Sequence, residues 1–169
     1  MKLDLGCKSG NDKREGYEGV DFTAGEGVDH VFDITKPWPI PSSSVEAVFS
    51  AHFFEHITDE AAYAVLQEAY RALQEGGEIQ IDVPDLPEVC KLFYNGDAFY
   101  RWGGLGLTTL FGDRVGAGQF HINGYDSDKL TFLLEKAGFQ DVVCEKIWSH
   151  GTACLLATGY KRGIHQTAD

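Results

Sequence analysis

Leu3-Asp4-Leu5-Gly6-Cys7-Lys8-Ser9-Gly10 opens the chain, and its reading decides the fold. A short apolar run that ends in glycine reads as a buried strand entering a tight loop. Asp4 and Gly6 then fall at the carboxyl end of a first strand, where open α/β sheets bind their ligands. Gly6 lets the backbone approach a ligand closely, and Gly10 permits the turn. Next outward is a second short strand over 17–22, with Asp21 placed 17 positions after Asp4. An acid at the tip of the neighbouring strand is placed to accept both hydroxyls of a ribose. Taken singly, a strand-ending aspartate is as readily a cap or turn residue. The order and spacing of the pair favour the ligand role.

Farther along, 28–34 reads as a third strand, and Pro37, Pro39 and Pro41 then forbid regular structure. Val45 to Ala51 is a fourth strand. Ala62, Val65, Leu66, Ala69, Tyr70 and Leu73 recur at helical spacing behind a capping Thr58, with Gly76-Gly77 as the stop; this amphipathic face is core packing. A fifth strand spans 78–83, ended by Pro84. A helix through Phe93 follows, then a loose glycine- and aromatic-rich stretch to about Tyr125. The helix at 128–137 has Asp126 or Ser127 near its cap and Gly138 at its end. Strands at 142–148 and 152–160 form an antiparallel hairpin around Ser149-His150-Gly151. The alternation predicts an α/β fold with a doubly wound, mostly parallel sheet, a C-terminal antiparallel hairpin and reduced helices near the N-terminus. One domain covers 1–160, followed by a polar tail over 161–169. The first three strands are joined by too few residues for crossover helices. The thinly covered apolar edge therefore calls for aromatic loops or a second copy of the chain, a homodimer.

With 169 residues, 43% hydrophobic and 24% charged, the chain is long enough for one self-sufficient core. Fourteen Lys and Arg against 26 Asp and Glu leave a net charge of −12, which repels a polyphosphate backbone. Nucleic acid is not expected as a partner, since the densest basic cluster, Lys8, Lys13 and Arg14, is flanked by acids. No apolar run approaches the length that spans a bilayer, so no membrane partner is expected. Four cysteines without a CxxC pair, and no leader at the start, read as free thiols in a reducing cytoplasm.

Four segments together resemble the class I S-adenosylmethionine-dependent methyltransferases, in the small type-11-like branch with a short first loop. They are Leu3-Asp-Leu-Gly-Cys7, Gly19-Val20-Asp21, Asp33-Ile-Thr-Lys-Pro-Trp-Pro-Ile-Pro41 and Ser50-Ala-His-Phe-Phe-Glu-His-Ile57. Tyr70-Arg-Ala-Leu-Gln-Glu-Gly-Gly77 and Asp82-Val-Pro-Asp-Leu86 add to the likeness, which covers most of 3–86. A weaker echo lies in 119–126 and at 138–139. The resemblance implies a Rossmann-like fold with S-adenosylmethionine as cofactor. Gly6 and nearby loop amides would meet the methionine part, and Asp4 would lie close to its ammonium. Asp21 would take the ribose hydroxyls, and Asp33 with Ile34 the adenine. Ser50 or Ala51 would offer a backbone carbonyl to the ammonium. Such a donor set suits a sulfonium nucleoside that has no pyrophosphate to hold. One departure stands out: Lys8 replaces the second glycine of the family's first loop, where it would either crowd the cofactor or pair with its carboxylate.

His52-Phe53-Phe54-Glu55-His56 also matches the HxxEH of inverted zinc peptidases. That chemistry needs both histidines on one face of a long helix; here the motif follows a strand directly, so no metal is expected. Glu55 and His56 read instead as loop-bonding residues. His52, nearest the expected methyl group, is the first candidate to orient or deprotonate an acceptor, with a packed loop histidine as the alternative. His121 and Tyr125 are further catalytic candidates for the same cleft. The aromatics of 85–125 predict either an acceptor lid or a cover for the bare sheet. The function implied is methyl transfer to O or N of a small-molecule or glycan acceptor. The alternatives are a non-catalytic partner protein of the same fold, a nicotinamide dehydrogenase, and a zinc hydrolase. The dehydrogenase is disfavoured because GxGxxG is missing.

Overall fold

A computed structural model describes residues 1–7, 13–96, 105–114 and 119–163. Its strands are β1 (Lys2–Leu5), β2 (Glu18–Asp21), β3 (Val28–Val31), β4 (Val45–Ala51), β5 (Leu73–Pro84), β6 (Gln140–Ser149) and β7 (Thr152–Tyr160). They form one sheet in the order β3-β2-β1-β4-β5-β7-β6. The first five are parallel, while β7 runs antiparallel to both β5 and β6. The strand order reverses between β1 and β4, which makes the crevice beyond their carboxyl ends the topological switch point. The predicted α/β architecture and its terminal hairpin are both present.

The core lies where apolar strand residues meet two helices, α1 (Asp59–Ala72) and a later one at Ser127–Ala137. Leu3, Leu5, Val20, Val48, Ile79 and Ile81 are buried with Val65, Leu66 and Ala69 of α1. Thr58 caps α1 by accepting the Ala61 N–H. The helix ends at Ala72 rather than at the glycine pair, because Leu73 is already extended and pairs with Val45. Gly76 instead bends β5, with φ +79° and its N–H donated to Lys161 O. After β5 come α2 (Leu86–Tyr94), capped by Asp85, and α3 (Leu105–Phe111). The last helix, α4 (Ser127–Ala137), is capped by Asp126 and stopped by Gly138 at φ +108°. Sequence patterning missed α3, a short Gly- and Thr-containing segment with weak propensity.

Strand β3 stops at Val31, so Ile34 sits in a turn rather than in the strand. Asp33 closes that turn by accepting both the N–H and the hydroxyl of Thr35. Six residues, 22–27, return the chain from β2 to β3. Fully extended they reach about 20 Å, enough to retrace a four-residue strand without a helix. Among the described residues no helix lies between β1 and β4: 22–27 are too few for a crossover helix, and Pro37, Pro39 and Pro41 interrupt the stretch before β4. Val89 with Leu92, Leu110 and Ala153 form a small separate cluster that seats α2 and α3. The Lys8 reading, and the lid aromatics Phe99, Tyr100 and Trp102, lie outside the described residues. No described helix is long and apolar enough to cross a membrane.

Candidate active site

At the switch point a cleft of about 810 Å³ opens over the carboxyl ends of β1, β2 and β4. Gly6 forms its floor. The residue sits at φ +70°, donates its N–H to Val20 O at 2.9 Å, and carries the Phe53 ring directly against its α-carbon. A Cβ at this position would stand 2.8 Å from Phe53 Cδ2, so only glycine fits under that ring. Asp21, ending β2, lines one side and accepts the Thr23 N–H at 3.0 Å. The connection Phe22-Thr23-Ala24-Gly25 continues the wall. Asp33 and buried Ile34 line the far end. The Thr35 hydroxyl and N–H bonds hold the Asp33 carboxyl below the usual range, so it is a carboxylate near neutral pH. Trp38 braces this end by donating its indole N–H to Ile34 O at 2.8 Å.

Of the residues expected to hold the cofactor, Gly6, Asp21, Asp33 and Ile34 line the cleft, and Asp4, Ser50 and Ala51 do not. Asp4 is buried, and its Oδ2 accepts the Arg14 N–H at 2.7 Å, fixing the return of the first loop. Burial raises the Asp4 pKa against the counteracting pull of Arg14 and Lys13. Ser50 is fully buried and donates its hydroxyl to Leu5 O at 3.1 Å, stitching β4 to β1.

His52 is the residue through which the large cleft meets a second recess of about 180 Å³. It leaves β4 in the left-handed region at φ +51°, with its N–H on Asp82 O. Its Nδ1 stands 3.1 Å from Oε1 of Glu55, and its Nε2 stands 3.8 Å from Cys154 Sγ. Burial disfavours the charged imidazole, but the Glu55 hydrogen bond and charge, with the Asp82 charge, outweigh it and raise the His52 pKa. Glu55 itself lies in a single 3-10 turn, Phe54–His56, rather than in a helix. His121 lines the small recess, and its pKa is lowered, chiefly by burial, against the pull of Glu55. Tyr125 lines neither hollow: it is buried, donates its hydroxyl to Phe54 O at 3.2 Å and receives Asn123 Nδ2 at 3.0 Å. Sequence reading missed Phe22, Phe53, His56 and Gln119 as lining residues. An aromatic just beyond each strand tip (Phe22 after Asp21, Phe53 two residues after Ala51) was the available signal.

Residues 12–81 match the family model described as a methyltransferase domain, of type 11. A SAM-dependent methyltransferase from Methanosarcina mazei aligns over 95% of this chain and 92% of its own, with a TM-score of 0.68 at 15% identity. One from Archaeoglobus fulgidus aligns over 95% and 85%, with a TM-score of 0.62 at 20% identity. The 1,6-didemethyltoxoflavin-N1-methyltransferase of Burkholderia thailandensis was solved with 1,6-didemethyltoxoflavin and S-adenosylhomocysteine bound. It aligns over 96% of this chain and 71% of its own, with a TM-score of 0.63 at 16% identity. No curated protein sequence matches the chain. Fold and family match agree on one class: the chain has the class I methyltransferase fold, with a type-11-like sequence over 12–81.

Proposed function

We propose that this chain is an S-adenosylmethionine-dependent methyltransferase acting on an oxygen or nitrogen of a small molecule or glycan. The observation that carries it is the convergence of Asp21, the Asp33–Ile34 turn and the Gly6 bend on one cleft at the switch point. The cleft's volume lies in the range of small-molecule sites and leaves room beside a nucleoside for an acceptor. Its donor set fits the cofactor: Asp21 takes the ribose hydroxyls, Asp33 and Ile34 meet the adenine edge and face, and Gly6 admits the methionine part close to the backbone. Asp4 acts at one remove, by holding the Arg14 backbone. When bound, the cofactor supplies an electrophilic methyl on a sulfonium.

The rest of the chemistry belongs to the chain. His52 orients the acceptor at the meeting of the two hollows. Glu55 Oε1 accepts from Nδ1, which fixes the tautomer and leaves Nε2 to take the acceptor's proton. The same carboxylate stabilises the imidazolium that results. Phe53 and Ile57 exclude water around the reacting atoms. The four cysteines, all free thiols, suit work in a reducing compartment such as the cytoplasm.

Calorimetric titration with S-adenosylhomocysteine tests the reading. Binding is expected for the wild type and at least tenfold weaker for Asp21→Ala, whose loss removes charge-assisted bonds to the ribose. A wild-type chain that binds nothing up to millimolar ligand refutes it.

A further inference from the structure

The imidazoles of His56 and His121 meet edge to face with centroids 4.7 Å apart. Each is oriented by a backbone carbonyl: His56 Nδ1 lies 3.0 Å from Phe120 O, and His121 Nδ1 lies 2.7 Å from Thr109 O. A carbonyl oxygen only accepts, so in both rings Nδ1 carries a hydrogen, and in the neutral imidazole Nε2 then carries the lone pair. Beside them stands Glu55, only 2% exposed. Its Oε1 is shared between His52 Nδ1 at 3.1 Å and His121 Nε2 at 3.9 Å. Its Oε2 is buried and receives no hydrogen bond among the described residues. A buried carboxylate oxygen without a donor is costly: the His52 N–H goes to Oε1, and His56 and His121 present lone pairs rather than hydrogens. A cation resolves that conflict.

We propose that Glu55, His56 and His121 form a site for a divalent transition-metal cation of the Zn²⁺ class. Two imidazole nitrogens and one carboxylate are the donor set of sites that keep a coordination position open. Nδ1–H bonds to backbone carbonyls are the usual outer support of metal-binding histidines. One ligand atom from each residue already lies within 4.8 Å of the other two. Bonds of 2.0–2.2 Å at tetrahedral angles place ligand atoms roughly 3.4 Å apart, so modest side-chain rotation closes the set. The Glu55 carbonyl accepts the N–H groups of Ile122 and Asn123 at 2.9 and 3.1 Å, which pins the segment carrying His121 against the 3-10 turn. The HxxEH spacing hides this arrangement: the metal ligand that joins Glu55 and His56 is not His52 but a histidine 65 residues beyond His56.

A second cluster, His52, Asp82 and Cys154, meets the same distance limit and has its own buried Asp82 Oδ1 without a donor among the described residues, but its third member is a protonated thiol rather than an imidazole. Ser149 donates its hydroxyl to Asp82 Oδ2 at 2.6 Å, and the Cys154 thiol donates to Ser149 O at 3.7 Å. The proposed site opens to the small recess through His56 and His121, and His56 also lines the large cleft. A cation there faces the acceptor side of the cleft; that consequence rests on the methyltransferase reading, whereas cation binding does not.

Chelator-treated protein, without cofactor, is titrated with Zn²⁺ by calorimetry and with Co²⁺ by visible absorption. One equivalent of zinc is expected to bind, and the cobalt spectrum should lack a thiolate charge-transfer band. His56→Ala and His121→Ala should each weaken zinc by at least about 100-fold while unfolding normally. His150→Ala and Cys154→Ser should bind as the wild type does. Glu55→Gln should also lose zinc; should it fail to fold, the two histidine variants decide alone. A wild type that takes up no zinc overturns the proposal, as do histidine variants that retain it. Loss of zinc in Cys154→Ser, with a cobalt–thiolate band in the wild type, assigns the cation to the other cluster and overturns it too. Because S-adenosylhomocysteine binding is measured separately, either reading can fail without the other.

Discussion

Gly6→Ala attacks the cleft through its floor. The site demands φ +70°, and a side chain held in the left-handed region costs about 1–2 kcal/mol. The new methyl would also stand 2.8–2.9 Å from Cδ2, Cβ and Cγ of Phe53. Overpacking of that kind costs roughly 1–3 kcal/mol. Together these give roughly 2–5 kcal/mol, which for a chain of this length lowers Tm by roughly 7–14 °C near the middle of the range. Phe53 cannot yield without moving into the cleft it lines, so S-adenosylhomocysteine affinity should fall along with stability. Urea unfolding and calorimetry read the two effects. The double variant Gly6→Ala/Phe53→Ala separates them in part, because it removes the contacts to Cδ2 and Cγ and leaves the backbone strain and the contact to Cβ. Coupling of about 1 kcal/mol or more is expected between the two sites. Strict additivity, or a Gly6→Ala chain as stable as the wild type, would refute the close packing of ring on glycine.

His52→Asn keeps a residue that tolerates positive φ and removes the imidazole. Turnover should drop by about 100-fold with cofactor affinity within about twofold; unchanged turnover would remove His52 from the proton transfer. Tyr125→Phe should cost about 1 kcal/mol in urea unfolding, through loss of the bonds to Phe54 O and Asn123, and leave turnover nearly unchanged. A collapse of turnover there would place the phenol in the chemistry. Arg71→Met has a pH signature. The Arg71 hydrogen bond, chiefly, and the Trp38 N–H hold the Glu68 carboxyl below its ordinary value of 4.5. A depressed value stabilises the fold fully above 4.5, and that contribution fades as pH falls through the folded value. The stability deficit of Arg71→Met should therefore be largest near neutral pH and shrink toward acid. A deficit that stays constant with pH would show that only the Arg71 bonds to Ile40 O, Trp38 O and the Ser42 hydroxyl matter.

Strand tips were legible in the sequence because apolar runs ending in Asp21 or Gly6 mark where a parallel strand leaves the core. Helix α1 was legible from its period and from Thr58. What each polar residue does at its tip was less so. Asp4 and Ser50 belong to strands covered on both faces, where alternation carries no message about which side opens to a ligand. Hydrogen bonding to Arg14 N and Leu5 O decides their roles, and those partners lie 10 and 45 residues away. The grouping of His52, Glu55, His56 and His121 depends on how 119–123 lies against the 3-10 turn. No local period encodes that contact. Helix α3 escaped for a different reason: its packing against α2 compensates for a composition that favours no regular structure.

The six-residue return from β2 to β3 is both sheet connection and wall. The two cannot fluctuate separately: opening of the edge strand opens the hollow, and a ligand resting on Asp21 and Thr23, as proposed, would clamp the edge. Amide exchange at Val20 and His30 should slow when the nucleoside binds, while the hairpin at the opposite end of the sheet keeps its own rate. Sparing a helix at this edge ties local breathing to occupancy.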